Sequence, residues 1–259
     1  MRRRVGIAVA AIAIALLGAT LAHGDVRQLG TLRVFFDGSF APHSLPRDRS
    51  VPVTVSVEGR ISTTDGTHPP SLRRLKLELN RAGRLSTVGL PTCTAPQLQS
   101  TTHVGALAQC QPALVGNGRF AADLTAEGNP VPTSGRILVF NARSQGKPAL
   151  LLHLYGTTPV QATFVLPLEI QQRARGQFGT VLATRVPKLA GGIGSITEIS
   201  LEIGREYTYR GQRRAYVSAS CAAPEGFSVG IFPFLRGNFR FADGKVLETS
   251  LTGDCRVRR

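Results

Sequence analysis

The feature that most limits what this chain can fold into is a two-residue period. Val51, Val53, Val55 and Val57 alternate with Pro52, Thr54, Ser56 and Glu58. Leu75, Leu77 and Leu79 alternate in the same way with Lys76, Glu78 and Asn80, as do Ile199, Leu201 and Ile203 with Ser200, Glu202 and Gly204. Successive side chains of an extended backbone point to opposite faces, so each run presents one apolar and one largely polar face. Further strands are expected over residues 32–36, 136–140, 149–155, 161–170, 180–184, 207–210, 215–220, 238–242 and 246–251. Turn formers separate them: Asp65-Gly66, Arg81-Ala82-Gly83, Ser144-Gln145-Gly146, Arg210-Gly211-Gln212 and Asp243-Gly244. Many short strands joined by such turns predict an all-β protein of antiparallel sandwich or barrel type. Helical periodicity is confined to the stretch between Ala95 and Leu107, where Thr94 can cap a turn that begins before Pro96.

An internal echo bears on organisation. Leu75-Lys76-Leu77-Glu78-Leu79-Asn80-Arg81 matches Ile199-Ser200-Leu201-Glu202-Ile203-Gly204-Arg205, and Cys93-Thr94-Ala95-Pro96 matches Cys221-Ala222-Ala223-Pro224. Gly116-Asn117-Gly118-Arg119-Phe120-Ala121 matches Gly237-Asn238-Phe239-Arg240-Phe241-Ala242. The three matches keep their order and nearly their spacing, which predicts two related β units in tandem, over residues 25–155 and 156–259. The second cysteines break the echo, since Cys110 precedes its Gly-Asn element and Cys255 follows its own.

The N-terminus reads as an address. Arg2, Arg3 and Arg4 precede an uncharged apolar stretch from Val5 to Ala22, and small residues follow. That order is a secretory signal peptide over residues 1–24, cleaved after Ala22 or Gly24. The uncharged stretch from Pro148 to Leu168 is interrupted by Pro159, Pro167, His153 and Gly156 and reads as two buried strands, not a span. A secreted or extracytoplasmic protein with no stable membrane span after cleavage is expected.

Four cysteines, Cys93, Cys110, Cys221 and Cys255, suit disulfides in an exported chain. Of the three possible pairings, Cys93 with Cys110 and Cys221 with Cys255 each close a short loop within one half. Loops of that size contribute roughly 3 kcal/mol each in the chain-entropy account. No CxxC spacing is present, which argues against redox catalysis and a zinc knuckle.

With 42% hydrophobic and 18% charged residues, the chain lies far from the disordered regime. Its net charge of +15 rests on arginine: Lys76, Lys147, Lys188 and Lys245 are the only lysines among 31 basic residues. Such a surface attracts anionic polymers or headgroups through a field that salt screens. Nucleic acid is not expected as a partner, because the basic residues are scattered and no stacking aromatics accompany them.

The stretches Ile61-Ser62-Thr63-Thr64-Asp65-Gly66 with Pro69-Pro70, Gly89-Leu90-Pro91-Thr92-Cys93, Ala113-Leu114-Val115-Gly116 and Tyr216-Val217-Ser218-Ala219-Ser220-Cys221 resemble a family of exported proteins from high-G+C Gram-positive bacteria. The likeness runs from about Leu32 to Cys255. It implies export and a shared architecture, and brings no activity, cofactor or site residue with it.

Motifs for chemistry are sparse. Gly192-Ile193-Gly194-Ser195 comes nearest to a nucleophile elbow but lacks its pattern, and Ser195 is expected in a loop. His43, His68, His103 and His153 have no ligand spacing, and His153 reads as a buried histidine of a strand. Glu78 and Glu202 hold equivalent positions, read as solvated strand faces rather than a glycosidase pair. Asp65-Gly66 and Asp243-Gly244 are turns without the ligands of a calcium loop. The basic turn Arg210-Gly211-Gln212-Arg213-Arg214, flanked by Tyr207, Tyr209 and Tyr216, is the candidate anion contact, with Arg210, Arg213 and Arg214 as its charges. The chain is therefore expected to be a non-catalytic structural or binding protein of the envelope or extracellular space, without a cofactor. Two rivals remain: a secreted hydrolase assembled from distant residues such as His153 and Glu202, and a carrier of apolar ligands.

Overall fold

The alternating runs become strands in the computed structural model of the protein, which describes residues 24–126, 129–158, 161–188 and 194–258. Apart from Gly24, the expected signal peptide lies outside the described residues. In chain order the strands are β1 (Asp25–Leu29), β2 (Leu32–Ala41), β3 (Ser44–Leu45), β4 (Val51–Pro52), β5 (Thr54–Thr63), β6 (Leu72–Asn80) and β7 (Gly83–Leu85). They continue with β8 (Leu114–Ala126), β9 (Asn129–Ser144), β10 (Lys147–Gly156), β11 (Ala162–Gln172), β12 (Phe178–Arg185) and β13 (Ser195–Ile203). The last are β14 (Glu206–Tyr209), β15 (Gln212–Ala215), β16 (Val217–Ala219), β17 (Val229–Phe241) and β18 (Val246–Val257).

The all-β expectation holds. Thirteen strands form one sheet in the order β1-β2-β5-β13-β8-β9-β10-β11-β12-β6-β17-β18-β3, antiparallel except where β3 runs parallel to β18. The sheet curls until its two ends meet, and Thr249 of β18 donates a hydrogen bond to Asp25 of β1. Curling encloses one face: Phe36 of β2 packs edge-on against Phe239 of β17, and Phe40 against Phe234. The enclosed core takes the inward members of the period-two runs, among them Leu77, Ile137, Leu150, Leu168, Leu182 and Leu201. Each such side chain removed from water stabilises the fold by about 1.5–3 kcal/mol.

The turns follow the expected chemistry. Gln145-Gly146 and Arg210-Gly211 both have positive φ at two successive positions, the conformation that matches the twist of paired strands. The helical stretch is split. α1 (Ala95–Leu98) and α2 (His103–Cys110) are separated at Ser100, whose φ is +56°. Together they cover the outer side of β9, β10 and β11, burying Leu98 and Ala106 against Leu138, Phe140 and Leu151. The Cys93–Cys110 disulfide ties the pair down, and Cys221–Cys255 joins the segment before β17 to β18.

Both of the expected units, residues 25–155 and 156–259, contribute strands to the one sheet. Strands β2, β5, β8 and β9 of residues 25–155 form a block that contains β13, and β11, β12, β17 and β18 of residues 156–259 form a block that contains β6. The two echoed strands thus sit at corresponding places, each inside the block built by the other stretch. Leu201 of β13 lies between Val57 and Gly118, and Leu77 of β6 lies between Leu182 and Gly237. This register pairs Gly118-Arg119-Phe120 with Gly237-Asn238-Phe239, two residues away from the best match by sequence. The expected boundary after residue 155 also falls inside a ladder, where β10 pairs with β11. Because each block takes a central strand from the other stretch, neither can complete its ladder alone. Residues 25–155 or 156–259 expressed separately should show no cooperative thermal transition; a sigmoidal melt from either fragment would contradict the interleaved order.

Candidate functional site

Period two leaves an outer face on every strand, and the helical pair covers only part of it. Over β12, β6 and β17 that face is open, and its side chains fall into rows set by the register. Arg185, Arg74 and Arg240 are directly opposed across three neighbouring strands. Ala183, Lys76 and Asn238 form the next row, and Val181, Glu78 and Arg236 the one after. Like charges directly opposite on a sheet destabilise it. Among the described residues none of the three arginines of the first row has an ion-pair partner. All three are exposed. They line an open depression of about 690 Å³ whose wall is the β9–β10 turn at Ser144 and Gln145. Glu169 on β11 is its one carboxylate.

Two rows away the charge is balanced differently. Glu78 is 1% exposed although it lies on the outer face. Arg236 donates to Oε2 from its Nε at 2.6 Å, Arg173 donates to Oε1 at 2.6 Å, and Lys76 Nζ stands 3.4 Å from Oε1. Arg236 also stacks over Phe178, 4.6 Å from the ring centre. Burial pushes the carboxyl pKa up, but the Arg236 hydrogen bond and the charges of Lys76 and Arg236 outweigh it and hold it below the usual glutamate value. The expectation of a solvated Glu78 is corrected. Lys76 is its neighbour on β6, but Arg236 and Arg173 come from β17 and from the segment after β11, and no local spacing announces them. Glu202, its counterpart on β13, is exposed as expected.

The basic turn expected as an anion contact forms the tip of the hairpin β14–β15, with Arg210-Gly211 at the turn. Its charges are partly engaged. Arg213 pairs with Glu206 at 2.9 Å, Arg214 donates to Gln212, and Arg210 and Arg214 lie 5.3 and 5.8 Å from the Tyr209 ring centre. The tyrosines serve the fold. Tyr207 donates to the Val88 carbonyl, the Tyr209 ring fills the space a side chain at Gly89 would need, and Tyr216 is fully buried. Arg213 and Arg214 share a second open depression, about 710 Å³, with Arg258 and Glu206.

The remaining candidates do not converge. Ser195 opens β13, not a loop, and its buried hydroxyl donates to the Pro69 carbonyl at 2.7 Å. His153 is fully buried on β10 beneath the helical pair, its Nε2 3.1 Å from both the hydroxyl and the carbonyl oxygen of Thr101. Desolvation lowers its pKa, so the ring is neutral at pH 7. Two strands, β8 and β9, separate β10 from the β13 that carries Glu202. Among the described residues no group of three or more His, Cys, Asp or Glu side chains could hold a metal ion. The highly apolar cavities lined by Val53, Leu79 and Phe234 and by Phe120, Leu154 and Phe164 offer about 40 and 20 Å³. A single water occupies roughly 30 Å³ in the liquid, so neither has room for an apolar ligand. Disulfides Cys93–Cys110 and Cys221–Cys255 pair as expected. No helix among the described residues is long and apolar enough to cross a membrane.

Comparison with protein-family models, with curated proteins and with solved structures returned no match.

The Glu78 cluster supplies a stability test. A carboxyl whose folded pKa is depressed contributes stability that is present above its unfolded pKa, 4.5, and is lost as pH falls through the folded value. Glu78→Gln should cost about 1–3 kcal/mol at pH 7 in urea unfolding, because three cations lose their anion while keeping partial access to water. It should also flatten the stability profile below pH 4.5. An unchanged urea midpoint would show that Glu78 is not what holds Arg173 and Arg236.

Proposed function

We propose that this is an exported, non-catalytic binding protein of the cell envelope or extracellular space that holds anionic polymers on its arginine-rich outer face. Export is supported by the Arg2-Arg3-Arg4 segment with its apolar continuation, by two disulfides, and by the resemblance to exported proteins of high-G+C Gram-positive bacteria. The observation that carries the binding reading is the row Arg185–Arg74–Arg240. Like charges aligned across three strands cost stability unless something else meets them, and three side chains without an ion-pair partner in an open depression are what an incoming anion requires. The hairpin arginines Arg210, Arg213 and Arg214 contribute a weaker second contact, since Glu206 already neutralises one of them. A binding role without chemistry fits the dispersal of Ser195, His153 and Glu202 over separate parts of the sheet.

Retention on purified cell wall across a salt series tests this reading. The triple substitution Arg74→Gln, Arg185→Gln, Arg240→Gln should move elution to clearly lower salt, whereas Arg210→Ser, Arg213→Ser, Arg214→Ser should move it less. Elution of the first variant with the unaltered protein would remove the row from the binding surface.

A further inference from the structure

We infer that the unit recognised by the Arg185–Arg74–Arg240 row is a phosphate monoester, carried as a pendant group on a polymer or as a lipid headgroup. This rests on the polyanion reading and narrows it. Each guanidinium is a rigid planar fork of N–H donors that matches the two-oxygen edge of an oxyanion. A carboxylate has one such edge and one charge, so a single arginine satisfies it and two remain uncompensated. A phosphodiester likewise has two free oxygens and a single charge. A phosphate monoester presents three terminal oxygens in a tetrahedral array and carries about −1.5 to −2 at neutral pH. Three forks and three added charges in one row match that group.

The surroundings agree with a compact anion. In the neighbouring row the side chains flanking Lys76 are the short Ala183 and Asn238, which leaves the floor of the depression low beside the arginines. Lys76, whose Nζ stands 3.4 Å from Glu78, also lines the depression. Glu169 pairs across the ladder with Ala183 and closes the β11 side with a negative charge. The cross-strand spacing puts the outer two arginines within about 10 Å of each other at the backbone, close enough for their long side chains to reach one ligand together with Arg74 between them.

Calorimetric titration of the mature protein at fixed ionic strength, with glucose 6-phosphate, glycerophosphoglycerol and glucuronate as probes, tests the inference. Glucose 6-phosphate should bind at least about tenfold more tightly than the diester or the carboxylate. Its binding should weaken below about pH 6, where the monoester loses its second charge, while glucuronate binding does not change there. Arg74→Gln with Arg240→Gln should abolish the preference, and the hairpin triple substitution should leave it intact. Equal affinity for the three probes, or a preference that survives loss of the two arginines, would overturn the monoester assignment. If wall retention still depends on the row in that case, the broader reading stands; if it does not, both fall. Sedimentation with phosphatidic acid vesicles against phosphatidylglycerol vesicles separates the sources: selective co-sedimentation assigns a lipid headgroup, and binding of glucose 6-phosphate alone assigns a pendant group on a soluble chain.

Discussion

Everything in this molecule depends on one curled sheet whose inward face is buried by curling and whose outer face is covered only where α1 and α2 lie on it. Twelve of its thirteen strands, all but the exposed edge strand β1, give inward side chains to a common core, closed by the approach of β1 to β18 and by aromatic contacts such as Phe36 with Phe239. The apolar voids lined by Phe234 and by Phe164 in that core are small, about 40 and 20 Å³. The protein uses its outer face in two ways. Over β9, β10 and β11 it is apolar and is sealed by α1 and α2 under the Cys93–Cys110 bridge. Over β12, β6 and β17 it is charged and open.

The open region is where electrostatics and topology meet. β6 comes from the first half of the chain, β12 and β17 from the second, and the arginine row exists only because β6 lies between them. The same placement brings Arg236 beside Glu78, so the balanced cluster and the unbalanced row are consequences of one strand's position. Placement of β13 in the other block is the structural counterpart, but there Glu202 faces solvent and the position equivalent to Arg74 is Glu198, whose cross-strand neighbours are Arg60 and Ala121, not a set of three arginines.

Much of the fold was legible because it is local. Alternation marked most strands, Gly and Asp marked the turns, and short loops marked the cysteine pairs. Strand β8 was harder to read, since Gly116 and Gly118 interrupt its pattern; the latter lies against Ser200 of β13, where a side chain would collide with backbone. The echo located corresponding strands but not their destinations, because which block a strand joins is decided by pairing over long sequence separations that a repeat does not encode. The arginine row was hidden for the same reason. Arg74, Arg185 and Arg240 are remote in sequence, and only the ladder registers bring them into one row, whereas the hairpin arginines stand out by falling within five residues.

If the row is kept for an external anion, it costs the folded protein stability while empty. Thermal unfolding of Arg74→Gln in low salt without ligand measures this directly. Relief of two like-charge contacts should raise the melting temperature by about 1–4 °C, and the gain should shrink as salt screens the row. A lower melting temperature would mean that Arg74 is held by interactions within the protein, and that the row is part of the scaffold and not a site waiting for its ligand.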